Sequence, residues 1–502
     1  MVFYFVIEKI VWIMKKTLEK IRSGTGYKWW ILGMVMLTTF MAVMDVTVVN
    51  VGLPTIMSSF HVGISSAEWI ITAYLITMTI MLPSSGWLAD RFGNKKFFIL
   101  GIALFTLGSF LCGRASDDAF LIASRALQGI GSGIIQSLGL AIVTREFPPK
   151  QLGVALGFWA VAAAASISLG PLVGGYLVDD FNWHLIFDIN VPVGLLVIVL
   201  SLFFQKEWKS EIKGKFDWVG FISIAIFMPA TVYALAHGNS PRNPEGWGSP
   251  VVIGCFAAAT VALAVFIVTE LRSKDPLLNI RLLGDLNFGI GILVLFLFGI
   301  GLIGGTYLLP LYMQRGLDYS AIMAGSVFLP VGVIQGTLSA VSGFLTKRVP
   351  PLGLVFAGIL FMTLSFFLAS LFTAHTTHGE IIGVLLIRGF GIGLTFAPLN
   401  LFSLKHLELK DMAAASGISN SIKQLSGSIG IALLTVIMTS RTAFHAQAEH
   451  ASGSRVYIEG ITDDFLIVTF ITLAALLPFL LLLVHRKKKV PVTKPEQESL
   501  TQ

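Results

Sequence analysis

Charge is scarce in this chain. Only 13% of its 502 residues are Asp, Glu, Lys or Arg while 55% are hydrophobic. No soluble domain of this size shows that balance, so the apolar surface must face lipid rather than one large core. Cysteine is scarcer still. Cys112 and Cys255 are the only two, and both fall inside apolar stretches; they read as small buried hydrophobes, with neither a disulfide framework nor a metal site. A nucleotide loop is also missing, because the Gly301, Gly304 and Gly305 cluster follows no strand and precedes no Gly-Lys-Ser/Thr. His375 and His378 stand between spans without a third ligand nearby and read as solvated. An ATPase is therefore excluded, and no metal and no cofactor are expected. Long polar segments are lacking too. The longest between apolar stretches, roughly 441–463, leaves no room for an inserted soluble domain, so function must reside among the apolar segments.

What the chain has is a series of apolar runs, each long enough to cross about 30 Å of hydrocarbon at about 1.5 Å per residue. They lie near 29–51, 69–89, 97–113, 119–143, 153–177, 186–204, 217–236, 251–270, 286–312, 321–345, 352–373, 380–403, 413–439 and 464–485. Backbone facing lipid has to bond internally, which leaves helices. The expected fold class is an all-α membrane protein with fourteen transmembrane helices.

An even count puts both termini on one side, and the basic residues test it. Of the 35 Lys and Arg, 27 fall on the side of the termini, five on the opposite side and three within spans. A wrong count would scramble this alternation from the error onward. Both termini are expected in the cytoplasm, and the net charge of +7 belongs to short loops at a membrane rather than to nucleic-acid binding. Residues 1–13 are too short and too broken by Glu8 and Lys9 to span, and they lack a cleavage site for a signal peptide. Met14 before Lys15 and Lys16 fits either a downstream start or an interfacial amphipathic segment.

The two ends of the chain echo each other. Arg125-Ala-Leu-Gln-Gly-Ile-Gly131-Ser-Gly133 in span 4 resembles Arg388-Gly389-Phe-Gly391-Ile-Gly393 in span 12, and Gly86-Trp-Leu-Ala-Asp-Arg-Phe-Gly93 has a decayed counterpart in Gly343-Phe-Leu-Thr-Lys-Arg348. Matching spans 1–6 to spans 9–14 leaves spans 7 and 8 as an inserted pair. The expected organisation is a terminal segment 1–28, a six-helix half 29–204, the pair 217–270, a second six-helix half 286–485 and a tail 486–502. Repeated halves with a site at their interface are the architecture of alternating access.

Four motifs carry a family resemblance: Asp45, Thr47, Asn50 and Pro54 in span 1; Gly86, Leu88, Asp90, Arg91, Gly93 and Lys95 after span 2; Arg125, Gln128, Gly129, Gly131 and Gly133 in span 4; and Gly170, Pro171, Gly174 and Gly175 in span 5. Together they resemble the fourteen-span drug:proton antiporters of the major facilitator superfamily, the EmrB/QacA type. Asn94 stands where a basic residue is common in that group. The resemblance implies a loop around Asp90 that gates the cytoplasmic side and a span-5 seal that opens and closes.

The residues support physical readings of their own. Small Gly86 and Gly93 allow a tight turn, and Asp90 can cap a helix or pair with Arg91 or a neighbouring cation. Gly170, Gly174 and Gly175 put a hydrogen-only stripe on one helix face, and Pro171 removes a helix hydrogen bond, which suits close packing as well as a moving seal. Asp45 and Arg125 lie at similar depths, so they can approach each other. Two roles fit that pair. It is either a fixed ion pair or a proton site, in which low-polarity surroundings favour the neutral carboxyl and Arg125 the carboxylate. Arg388 and Lys423 are also deep without a matching acid, which argues against assuming cationic substrates; they either satisfy helix carbonyls or attract anionic or zwitterionic solutes. Asp188, an acid where the family carries an apolar residue, is a candidate second protonation site.

The expected function is proton-driven export of small amphipathic compounds across the cytoplasmic membrane, without enzymatic activity. Asp45, Arg125 and Asp188 would couple protons, while Asp45, Asn50, Gln128, Arg388, Asn420, Lys423 and Gln424 would line the cavity. A dedicated metabolite exporter and a non-transporting receptor on the same fold are the rival readings. Protons, a small-molecule substrate and the bilayer are the implied partners, and resemblance adds a monomeric state. Some relatives in double-membrane bacteria pass substrates to a periplasmic adaptor and outer-membrane channel; nothing in the sequence decides this here.

Overall fold

The computed structural model describes residues 26–208, 214–238, 243, 245–274, 276–346, 348–408, 411–448 and 453–479. The choice of start between Met1 and Met14 and the tail 486–502 lie outside them. Among the described residues are fourteen helices long and apolar enough to cross a membrane. They are α1 (Tyr27–Phe60), α2 (Ile64–Phe92), α3 (Asn94–Cys112), α4 (Asp118–Glu146), α5 (Pro149–Asp180), α6 (Asn190–Phe204), α7 (Trp218–Gly238), α8 (Pro250–Arg272), α9 (Leu286–Leu311), α10 (Phe328–Leu345), α11 (Pro351–Ala369), α12 (His378–Leu404), α13 (Met412–Ala448) and α14 (Ser454–Ala474). Single-turn helices Leu185–Asp188 and Ala321–Ser326 lead into α6 and α10. With an even number of spans, residues 26 and 479 share one face, the terminal face; the opposite one is the distal face.

Packing follows a repeat. Within the first six helices α1 packs on α4, α5 and α6, while α4 packs on α2 and α3. In the last six, α9 packs on α12, α13 and α14, while α12 packs on α10 and α11. Every pair recurs eight helices later, and the halves meet through the reciprocal crossings of α2 with α13 and of α10 with α5. Helices α7 and α8 pack on each other, and α7 rests on α2 and α13 outside this arrangement. Helix α8 is accordingly the span with the least buried surface, as expected of an element with lipid around most of its circumference.

Glycine ladders explain the closeness of the bundle. A Cβ on Gly129 or Gly133 would overlap α2 at Tyr74 or Met78, and one on Gly131 would overlap α3 at Phe105 and Gly101. In α12 the same alternation recurs: Gly389 and Gly393 face α10 at Val331 and Leu338, while Gly391 faces α11 at Met362 and Gly358. Backbones approach only where side chains are missing. This register aligns Gly129 with Gly389, so Arg388 stands at the position of Gln128, not of Arg125. The resemblance of the two arginine-led motifs is therefore offset by three residues, because the glycines, which make the contacts, set the repeat.

Candidate functional site

Asp45 lies near the middle of α1, because the helix runs on through Thr55, Ser58 and Ser59 to end at a left-handed His61, deeper than a span ending at residue 51 implies. Its carboxylate pairs with Arg125 of α4, both side chains wholly excluded from solvent. The guanidinium also donates through Nη1 to Gln128 Oε1 at 2.7 Å and through Nε to the Ile70 carbonyl at 2.9 Å. The other carboxylate oxygen accepts from Gln128 Nε2 at 2.7 Å and Asn190 Nδ2 at 3.0 Å, and both amides donate onward to Ser109 Oγ. Tyr74 places its ring 4.1 Å from the guanidinium carbon. Five spans of one half thus converge on one ion pair, leaving only Arg125 Nη2 and Asn190 Oδ1 of its polar atoms without a partner among the described residues.

A cavity of about 270 Å³ lies between the halves. Its wall is mostly apolar, with α1 contributing Ala42, Val43, Val46, Thr47 and Asn50, and α12 and α13 contributing Arg388, Lys423 and Gln424. Four of the expected cavity residues therefore line it. Asp45 and Gln128 do not: they sit behind the α1 wall, each turned into the network inside the first half. Asn420 is exposed about one turn from Lys423 towards the terminal face and is outside the lining. Asp188 does not join the Asp45 network either. It sits at the distal end of α6, a quarter exposed, in an ion pair with Arg114 at 2.9 Å.

On the distal side the cavity is roofed by direct contact between halves. A Cβ on Gly175 would overlap the Ala321 carbonyl and Ile322, and one on Gly325 would overlap the Pro171 carbonyl. Asp179 extends the seam by accepting the backbone N–H of Ala321 at 3.0 Å and of Ile322 at 2.6 Å, so a carboxylate of one half holds a helix start of the other. Gln314 Nε2 donates to the Val51 carbonyl at 2.8 Å beside them. Gly170 and Gly174 face the opposite way, onto Thr47 and Val48 of α1. The span-5 glycines thus serve two faces rather than one stripe, because residues 170 and 174 are a turn apart and 175 lies about 100° further round.

A family model described as the Major Facilitator Superfamily matches residues 35–431. The chain belongs to that superfamily. It is 32% identical over 412 residues to the multidrug export protein EmrB of Escherichia coli K12, covering 82% of this chain and 80% of that one. It is 30% identical to the fatty acid resistance protein FarB of Neisseria gonorrhoeae, covering 84% and 83%. Among solved structures, a bacterial homologue of the lysosomal transporter Spinster, in an inward-facing and unoccupied conformation, superposes with a TM-score of 0.64 at 16% identity over 94% of this chain and all of that one. The protein is a multi-pass membrane transporter of small molecules and not an enzyme.

The superfamily's loop motif takes a definite shape here. Gly93 is the single residue between α2 and α3 and caps both, at φ +101°. A side chain there would be strained and would also meet the Glu207 carboxylate, which accepts the Lys95 N–H at 3.1 Å. Gly93→Ala is expected to lower stability by about 1–3 kcal/mol, read as thermal melting of the purified protein. Adding Glu207→Ala should recover only the steric part of that loss. Asp90 makes no ion pair among the described residues; Asn94 Nδ2 faces it at 3.5 Å and donates to the Trp208 carbonyl at 3.3 Å. Arg91 is exposed, and the space around Gly86 is open.

Two buried acids without a hydrogen-bond partner among the described residues escaped the sequence reading, as did a third, Glu270, whose carboxylate accepts the Leu278 N–H at 3.1 Å. Glu68 and Asp464 are wholly buried, with no hydrogen-bond partner for either carboxyl among the described residues. Glu68 of α2 faces Thr435 of α13, whose hydroxyl donates to Tyr307 of α9 at 3.2 Å. Each lies at the very edge of its apolar run, where an acid reads as a loop residue, and only the longer observed helices put them inside the protein.

Proposed function

We propose that this transporter is a proton-coupled antiporter that exports small amphipathic compounds from the cytoplasm. The observation that carries this reading is the Asp45–Arg125 network set directly behind the cavity wall. Val46 follows Asp45 in the chain and Ala42 lies one turn before it, and both line the cavity. Taking up a proton withdraws the carboxylate from Arg125, which cannot discharge itself, so the shared turn of α1 must readjust and a bound solute feels it. Proton and substrate then exclude each other through α1. A proton entering down the membrane potential contributes about 2.3 kcal/mol per 100 mV.

Direction follows from orientation. Basic residues concentrate in the terminal-face loops, which makes that face cytoplasmic. The distal roof between Gly175 and Ala321 is then the outer gate, and the loop from Gly86 through Asp90, Arg91 and Gly93 to Lys95 the inner one, with the halves 29–204 and 286–485 rocking about the cavity. The names of the EmrB and FarB relatives support amphipathic cargo. The working unit is a monomer, handing cargo to a periplasmic adaptor and outer-membrane channel where a second membrane exists; pull-down from native membranes tests those partners.

The purified protein in liposomes with an imposed pH gradient is the test, using cationic, neutral and anionic amphiphiles. Substrate-dependent proton movement is the expected result. Accumulation of a compound at equal rates with and without the gradient would remove proton coupling from the reading.

A further inference from the structure

The cavity carries two cations and no acid. Arg388 and Lys423 line it, and none of the lining residues is Asp or Glu. The deep arginine of the first half shows what a neutralised cation looks like in this bundle: Arg125 holds Asp45, Gln128 and a carbonyl. Arg388 has none of this. Only 3% exposed, it donates through Nε to Ser365 Oγ at 3.3 Å, while both terminal nitrogens have no partner among the described residues. The Phe366 ring covers one guanidinium face at 4.3 Å, and the two-nitrogen fork is enclosed without a partner among the described residues. Lys423 makes no ion pair among the described residues and lies 5.3 Å from the centre of the Phe396 ring.

A buried guanidinium fork with two unused donors matches the two oxygens of a carboxylate or other oxyacid, which accepts both bonds in one plane. A compound of opposite sign would have to sit beside two uncompensated positive charges in a site of low polarity. The Phe328 and Phe396 rings and the apolar wall suit the rest of such a molecule.

We propose that the cavity selects small amphipathic monoanions, with the oxyacid group bound by the Arg388 fork in the field of Lys423 and the apolar body against the aromatic wall. This rests on the transport reading above and specifies its substrate. A lipid phosphate shares the same chemistry, and the inference commits to a free small solute. Arg388 at the Gln128 position of the repeat is the device that makes the second half differ from the first: one half keeps its arginine neutralised, the other presents its arginine to cargo.

Equilibrium binding separates this inference from proton coupling. The probes are naphthoate, naphthamide and naphthylmethylammonium, one apolar body with three charges, titrated onto the purified protein in nanodiscs of zwitterionic lipid. Naphthoate is expected to bind most tightly. Arg388→Gln is expected to weaken it roughly 10- to 150-fold, the range for a lost hydrogen bond to a charged group. Arg388→Lys should fall between, and Lys423→Gln serves as an independent variant if Arg388→Gln melts early. Tightest binding by the ammonium compound, or naphthoate affinity unchanged in Arg388→Gln and Lys423→Gln, overturns the proposal. Displacement of naphthoate by phosphatidylglycerol added to the nanodiscs overturns it too, by reassigning the fork to lipid. Naphthoate binding without any pH-driven flux would leave this inference standing and remove the proton coupling instead.

Discussion

Asp45→Asn is expected to reduce pH-driven transport to the level of empty liposomes and to destabilise the protein by about 3–5 kcal/mol, the range for stranding one member of a buried ion pair. The two members are not equivalent. Arg125 cannot shed its charge, so in Asp45→Asn the guanidinium stays stranded at every pH. In Arg125→Gln the stranded group is a carboxyl that can take up a proton, so that variant should regain stability as pH falls. Thermal melting across pH separates the two behaviours. The double variant Asp45→Asn/Arg125→Gln replaces two charges with two amides inside an existing amide and hydroxyl network of Gln128, Asn190 and Ser109. It should melt within about 1 kcal/mol of wild type, since removing both partners of a buried pair is often near neutral. That variant decides between a fixed ion pair and a proton site. Folded protein that still responds to a pH gradient would mean that the pair is only structural.

The same pair shows what the sequence could and could not disclose. Asp45 and Arg125 announced themselves because a charge in an apolar run needs a partner, and matching depth supplied one. Their partners Ser109, Gln128 and Asn190 are polar but uncharged, and apolar periodicity does not record which face a neutral side chain takes. The span count was legible for the reason that lipid imposes it: each crossing has to be long and apolar. Glu68 and Asp464 were hidden by that rule, since Glu68 lies one residue outside its apolar run and Asp464 is the first residue of its own, and an acid at such an edge looks like a loop. Asp179 was hidden in the same way, its role depending on a helix start in the other half, 142 residues away. The Arg388 echo misled because arginine is conspicuous in a sequence, whereas the glycines beside it set the packing.

The distal roof is where a second large effect is expected. At Gly175 and Gly325 a side chain would run into opposing backbone, the Ala321 carbonyl in one direction and the Pro171 carbonyl in the other. Rotamer changes cannot relieve a clash at Cβ, so Gly175→Leu can be accommodated only by moving α5 away from the start of α10. Overpacking of this kind costs about 1–3 kcal/mol, and it falls on the roofed state alone if the roof is a gate. The equilibrium should then shift towards a distal opening by about 5- to 150-fold, and transport, which needs both states, should slow accordingly. Val51 reports the opening. It is wholly buried and its carbonyl accepts from Gln314 in the seam. In a background with Cys112→Ala and Cys255→Ala, Val51→Cys should resist a membrane-impermeant maleimide added outside cells, and Gly175→Leu should make it react. Gly175→Ala, which brings the Cβ but no further bulk, should give a smaller shift in the same direction. If Val51→Cys stays protected and flux is unchanged in Gly175→Leu, the glycines of α5 are packing alone and the moving seal lies elsewhere. If labelling rises while flux falls, the contact between Gly175 and Ala321 is the outer gate, and the hydrogen bonds from Ala321 and Ile322 to Asp179 are part of what must break each time it opens.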